Sequence, residues 1–260
     1  MDFYPGFLIE PDHENMLFHY GKDVFGPKIA ECRRLEDIRK SLKNPKACGP
    51  DILYSIAMDV GQLKDREDLV RRNLLYGVVQ YAAGTIGEET IRSQGHIHAI
   101  SPSCNSSTPE VYEIWEGTAI IYMQEFAEDI PGRCFAVTAK VGDVVIVPPN
   151  WAHCTINGDS KKYMSFGAWC IRDYGFDYAG IRAHNGIAHF PMIKQRNQVT
   201  WQSNPAYKQS ELICTSARSY PELGIRKNVP IYTQYQQNPE LFAFVTHPQI
   251  AKSIWIDFEP

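Results

Sequence analysis

The chain has 260 residues, 44% of them hydrophobic, and a formal net charge of −4. That suits one domain of moderate size, or one domain with additions; the mildly acidic balance argues against a nucleic-acid partner, and no apolar run reaches the roughly 20 residues of a membrane-crossing helix. Met1-Asp2-Phe3-Tyr4-Pro5 lacks the basic start and apolar block of a secretory signal, and seven scattered cysteines (Cys32, Cys48, Cys104, Cys134, Cys154, Cys170, Cys214) form no C-x-x-C pair, which points to reduced thiols in a cytoplasm.

Residues 1–50 read as an extension of strand and helix packed on the main body of the domain. The spacing of Leu35, Ile38, Arg39 and Leu42 predicts a short amphipathic helix closed by Asn44-Pro45. His13 and His19 fall outside any motif and read as structural. Residues 51–59 read as a strand, 65–72 as a charged turn, 74–81 as a second strand and 82–85 as a turn. Residues 119–125, 134–140, 143–147 and 163–171 are further short strands. Such a series of strands with Gly-rich turns predicts a β-barrel or sandwich, wide enough at its mouth for one small ligand.

The stretch with the most chemistry is Gly95-His96-Ile97-His98. Two histidines one residue apart in a strand face the same side of a sheet and can grip one ion. Residues 99–109 form a polar loop. Glu110 then opens an apolar run, Val111-Tyr112-Glu113-Ile114-Trp115, which ends at Gly117. Glu113 is an alternative ligand, but its odd spacing from Glu110 turns it to the opposite face. His153 follows Gly142-Asp143 and a strand closed by Pro148-Pro149. Three imidazoles and a carboxylate from three strands suit a divalent transition metal with open positions. Cys154, next to His153, is expected to point away, and Arg92 to alternate away from Ser93.

From Met192 onward the character changes. Residues 200–205 read as a loop. Asn238-Pro239-Glu240 caps a short helix running to His247 and stopped by Pro248, and 254–258 alternates like a strand. Residues 191–260 carry no recognisable chemistry, His247 included, and are expected to be ordered, wrapping the barrel or crossing to a second subunit.

G-x-H-x-H, then a Glu with a Gly seven residues on, then G-D-x-x-x-x-P-x-x-x-x-H with an Asn four residues later resembles the two motifs of the cupin superfamily. The 99–109 loop is longer than that pattern usually allows. Tyr81 to Glu89, Ser93-Gln94-Gly95-His96-Ile97-His98-Ala99, Glu110-Val111-Tyr112, the run Val147 to Asn157, and Asp177-Tyr178 narrow the resemblance to the cupin-type glucose-6-phosphate isomerases over residues 50–190. It implies an all-β fold, a jelly-roll barrel (double-stranded β-helix) at residues 51–190 with a few peripheral helices, and a homodimer. It implies one divalent ion per subunit, iron foremost, with Zn²⁺, Mn²⁺ or Ni²⁺ able to substitute. His96, His98, Glu110 and His153 are then the metal ligands. Glu110, Tyr112 and Tyr178 take catalytic roles, and Ser93, Gly95, Tyr112 and Tyr178 contact the sugar phosphate. Thr155 and Asn157 are supporting residues.

The implied reaction interconverts glucose 6-phosphate and fructose 6-phosphate, by an enediol with Glu110 as base or by a hydride shift. The chain departs from the family at Val79, where a phosphate-holding threonine is expected, at Cys170 for a tyrosine, at Phe176 for a histidine, and at Thr108 or Pro109 for another tyrosine. Those departures keep two alternatives open: a metal cupin acting on another sugar or as a dioxygenase, and a sugar-phosphate-binding protein without turnover.

Overall fold

A computed structural model describes residues 3–194 and 197–260. Two antiparallel sheets face each other across an apolar interior. One has six strands in the order Val144–Val147, Glu110–Glu116, Met164–Ile171, Leu74–Tyr81, Ile52–Ala57, Glu31–Arg34. The other runs Ala152–Asn157, Thr118–Gln124, Cys134–Lys140, Leu212–Ser216, the last pair parallel. The stretch before the His pair joins its free edge through bridges Arg92↔Ile156 and His96↔His153. This is the expected jelly-roll barrel, and both flanking segments add a strand to it, Glu31–Arg34 and Leu212–Ser216.

Alternation sorts each strand between two cores. On the six-stranded sheet, Val79, Tyr81, Tyr112, Ile114 and Phe166 fill the barrel, while Tyr76, Val78, Val111, Trp115 and Trp169 point outward. The outward row is not solvated. Residues from 220 to the C-terminus lie over it, and Tyr232 packs at ring-centroid distances of 5.3 Å from Trp169, 5.3 Å from Tyr76 and 4.7 Å from Phe7. Both faces are thereby buried, which is why Met164–Ile171 reads as a continuous apolar run rather than an alternating one. The outward row of the second sheet, with Tyr122, Cys154 and Ile156, is covered by Ile181, Ile187 and Tyr207. Cys154 points away from the barrel interior, as expected.

Three local expectations are corrected. Residues 65–72 are not a turn: Arg66–Arg71 is helical after a 3-10 turn, held by Asp68 pairing with Arg71 and with Arg72 at 2.7 Å. Residues 200–205 are not all loop, because Gln198–Ser203 pairs with His189–Lys194. Residues 254–258 are not a strand, since Lys252–Ile256 is helical and Trp255 Nε1 donates to the Pro248 carbonyl at 2.8 Å. In each case packing partners outweighed a short local pattern. The 35–42 helix forms as Leu35–Ile38 with a 3-10 turn, and Pro239 starts the expected helical segment up to Thr246. His13 bridges Gln80 and Glu116, each at 2.9 Å, and tethers the N-terminal hairpin.

The seam between barrel and C-terminal segment contains a buried acid. Glu113 is 1% exposed and accepts hydrogen bonds from Ile231 N at 2.8 Å and Trp115 Nε1 at 3.4 Å. Burial pushes its carboxyl up to about 8, against the pull of those two bonds. Between its ordinary value of 4.5 and that raised value the folded chain holds a proton the unfolded chain has lost. Stability from this group is therefore present below pH 4.5 and falls as pH rises toward 8. Thermal melts of the wild type should lose roughly 1 kcal/mol per pH unit more than Glu113→Gln across that window; parallel profiles would show that the group titrates normally.

Candidate metal centre

The site begins at a backbone turn. Gly95 has φ +92°, and a Cβ there would stand 3.0 Å from Ile187 Cγ2, so a side chain would be both strained and crowded. After the turn, His96 N donates to His153 O at 3.0 Å and His153 N donates to His96 O at 2.9 Å. Ile97–His98 pairs with Phe176–Asp177. Glu110 opens the neighbouring strand, opposite Val147. Donor atoms of His96, His98, Glu110 and His153 all lie within 4.8 Å of one another.

The hydrogen bonds around these rings favour a metal. His98 Nδ1 donates to the Thr108 carbonyl at 2.8 Å, and His153 Nδ1 donates to the Trp151 carbonyl at 3.1 Å. Spending Nδ1–H this way leaves the Nε2 lone pairs inward, the arrangement of ligating histidines. Those Nε2 atoms face Glu110 Oε2 at 3.3 Å and 3.5 Å. Lone pairs facing a carboxylate repel unless a cation or proton lies between. Nε2 of His96 and of His153 is buried with no hydrogen-bond partner among the described residues, a cost an ion would remove. The residues fit a divalent metal with three nitrogen donors and one oxygen donor.

Electrostatics agree. Burial holds His96 well below the usual histidine range, reinforced by the charges of His153 and His98. Burial likewise lowers His153, outweighing the pull of the nearby Glu110 carboxylate. For His98 burial is overcome by the Glu110 hydrogen bond, and its value rises. Burial of Glu110 favours the acid, but the neighbouring His153 and His98 imidazoles hold the carboxyl far below the usual range. Tyr112 donates to Glu110 Oε2 at 2.6 Å, and burial first, then that carboxylate, raises its phenol.

The cluster opens into a cavity whose wall includes Ser93, Tyr112 and Tyr178 but not Gly95, whose place is the turn. Ser93 Oγ accepts from Thr155 N at 3.1 Å. Thr155 is in the wall, whereas Asn157 bonds the Ala82 and Lys162 carbonyls at 3.0 Å and 2.7 Å. Arg92 is fully buried against Glu89 at 2.9 Å, and Glu113 is on the far face. Val79, Cys170 and Phe176 all line the cavity, and the Phe176 ring lies 4.5 Å from His96. Sequence reasoning missed Arg33, Tyr54 and Gln94, also in the wall. Gln94 was legible beside the His pair; Arg33 and Tyr54 depend on which strands adjoin.

A jelly-roll barrel with this constellation on its inner face defines a cupin with a candidate metal site. The family described as glucose-6-phosphate isomerase (GPI) matches residues 34–209. Glucose-6-phosphate isomerases of Thermococcus litoralis and Thermococcus onnurineus are 29% and 30% identical over 182 and 181 residues, 68% of this chain and 86% of each relative. A putative glucose-6-phosphate isomerase of Rhizobium meliloti is 32% identical over 44% of this chain and 49% of its own length. Among solved structures, hazelnut vicilin aligns with TM-score 0.37 and 11% identity over 59% of this chain and 36% of its own. An oxalate oxidase aligns with TM-score 0.36 and 11% identity over 48% and 55%; likeness that slight bears on nothing further. The chain belongs to the glucose-6-phosphate isomerase family, a family of isomerase enzymes.

The wild type should bind one divalent ion per chain by elemental analysis. His96→Ala or His153→Ala should each weaken it by more than about 100-fold, since altering a ligand's supporting contacts alone costs about 10–100-fold. Retention of full metal by either variant would place the ion elsewhere.

Proposed function

We propose that this protein is a metal-dependent aldose–ketose isomerase interconverting glucose 6-phosphate and fructose 6-phosphate. The observation that carries this reading is the four-residue cluster, with unpartnered inward nitrogens, at the base of a cavity in a chain of this family. His96, His98, His153 and Glu110 would hold the ion, for which we favour Fe²⁺, with Zn²⁺, Mn²⁺ or Ni²⁺ as substitutes. A bound divalent ion supplies Lewis acidity toward the substrate carbonyl.

The chain's own residues supply orientation and proton handling. Among the described residues, Glu110 is the one carboxylate in the cavity wall. In the enediol route it takes the proton from C2 of the aldose and returns it to C1, while the O2 hydroxyl proton passes to O1. Its low pKa makes it a weak base until a ligand or proton partner shifts, so a hydride transfer from C2 to C1, needing no base at carbon while the O2 hydroxyl proton passes to O1, is the competing route. Tyr112, bonded to Glu110 Oε2, orients the carboxylate and can exchange a proton with it. Tyr178, whose ring lies 5.9 Å from that of His96, positions substrate over the cluster. Ser93 offers a hydroxyl to the sugar phosphate.

The same reading makes the protein a cytoplasmic homodimer of glycolysis or gluconeogenesis without nucleic-acid or membrane partners. Among the described residues no helix is long and apolar enough to cross a membrane. A second reading has one specific observation in its favour: Val79, Cys170 and Phe176 make part of the wall apolar or soft. That suits a metal cupin for another sugar, a dioxygenase, or a sugar-phosphate binder without turnover.

A coupled assay for fructose 6-phosphate to glucose 6-phosphate, on protein stripped and reloaded with Fe²⁺, Mn²⁺ or Zn²⁺, separates them. Turnover should require metal and fall by at least about 10²-fold in Glu110→Ala and His98→Ala. Absence of turnover in the fully loaded wild type would overturn the isomerase reading; oxygen consumption would then point to the dioxygenase.

A further inference from the structure

Among the described residues the cavity wall contains one guanidinium. Arg33 lies on Glu31–Arg34, the edge strand of the six-stranded sheet, directly opposite Tyr54 in register. Cross-strand partners project to the same face, so Arg33 and Tyr54 enter the cavity together. Tyr178 lines the same cavity as this pair. Arg34, the next residue, faces solvent and pairs with Asp51. Arg182 stacks 4.8 Å over the Tyr178 ring and donates to Gln94 at 3.0 Å, but is not in the wall.

The cavity thus has opposite charge at two places: Glu110 with the histidines, and Arg33 with two phenols. Among the described residues Arg33 has one ion-pair partner, Glu31, on its own strand, and the two side chains are 25% and 55% exposed. An ion pair that open to water contributes little, so a stronger anion can displace Glu31 at small cost. A phosphate does so well, because the planar fork of an arginine matches two of its oxygens and the flanking phenols can donate to the rest.

We propose that Arg33, with Tyr54 and Tyr178, is the anion-recognition end of the cavity, that it receives the substrate's phosphate, and that Glu31 occupies it when substrate is absent. This inference rests on the sugar-phosphate reading of the site. It also explains how a wall carrying Val79 can hold a dianion: a charged donor from the N-terminal extension supplies what a neutral hydroxyl lacks.

The test uses the full-length, Fe²⁺-loaded protein, with metal content and melting temperature checked for every variant. Arg33→Gln should raise KM for fructose 6-phosphate by roughly 10–100-fold, the range for losing hydrogen bonds to a charged group, with a much smaller change in kcat. It should also lose competitive inhibition by inorganic phosphate. Arg33→Lys should recover part of both, Glu31→Gln should lower KM, and Arg34→Gln should change neither. Unchanged KM and phosphate inhibition in a fully loaded, active Arg33→Gln would overturn this inference and leave the isomerase reading standing. If the loaded wild type has no isomerase turnover, calorimetric titration of inorganic phosphate decides: binding lost in Arg33→Gln keeps the anion site, and equal binding in both proteins sinks it.

Discussion

The pair of backbone hydrogen bonds between His96 and His153 is the constraint on which the site depends. It fastens two segments distant in sequence into one antiparallel bridge, and so sets two imidazoles side by side without help from any loop. Rigid strands fix ligand geometry better than loops do. Gly95 is required because the chain must reverse into that bridge against Ile187, where a side chain has no room. His98 and Glu110 then follow from strand alternation and from the register Glu110↔Val147.

A bridge of this kind holds only if the sheets do. The barrel interior is one apolar core, but the six-stranded sheet would expose Tyr76, Trp115 and Trp169 on its outer side without the C-terminal segment. Such a patch on water would be unfavourable and prone to association. The segment's aromatic residues therefore serve the candidate site indirectly, by burying the back of the strands that carry Glu110 and Tyr112. Glu113 marks the junction: its carboxyl satisfies the Ile231 amide and lies on the opposite face of the strand from Glu110. One strand thus presents a ligand to the cavity and a tether to the tail through alternation alone.

The long 99–109 loop has a comparable supporting place. Asp173 accepts hydrogen bonds from Ser101 Oγ at 2.9 Å and Ser103 N at 3.1 Å, which pins the loop. The pinned loop brings the Thr108 carbonyl to His98 Nδ1 and so selects its tautomer. An insertion that looked like a departure from the motif thereby becomes part of what orients a ligand.

Much of this was legible in the sequence. The period-two spacing of His96 and His98, the opposite parity of Glu110 and Glu113, and the outward turn of Cys154 follow from strand geometry and needed no coordinates. The recurrence of short strands foretold the barrel, and the motif order foretold which four side chains converge. Other features depended on neighbours that local sequence does not name. Residues 65–72 became helical through side-chain pairs, Lys252–Ile256 became helical with Trp255 bonded back to the Pro248 carbonyl, and Leu212–Ser216 found a parallel partner in Cys134–Lys140. Tyr54 belongs to the cavity because Ile52–Ala57 pairs with Leu74–Tyr81, and Arg33 because Glu31–Arg34 pairs in turn with Ile52–Ala57. A sequence specifies which way a side chain points along its own strand, since that is set by backbone geometry; which wall it then faces is decided by long-range pairing, whose energy is shared among residues far apart in the chain.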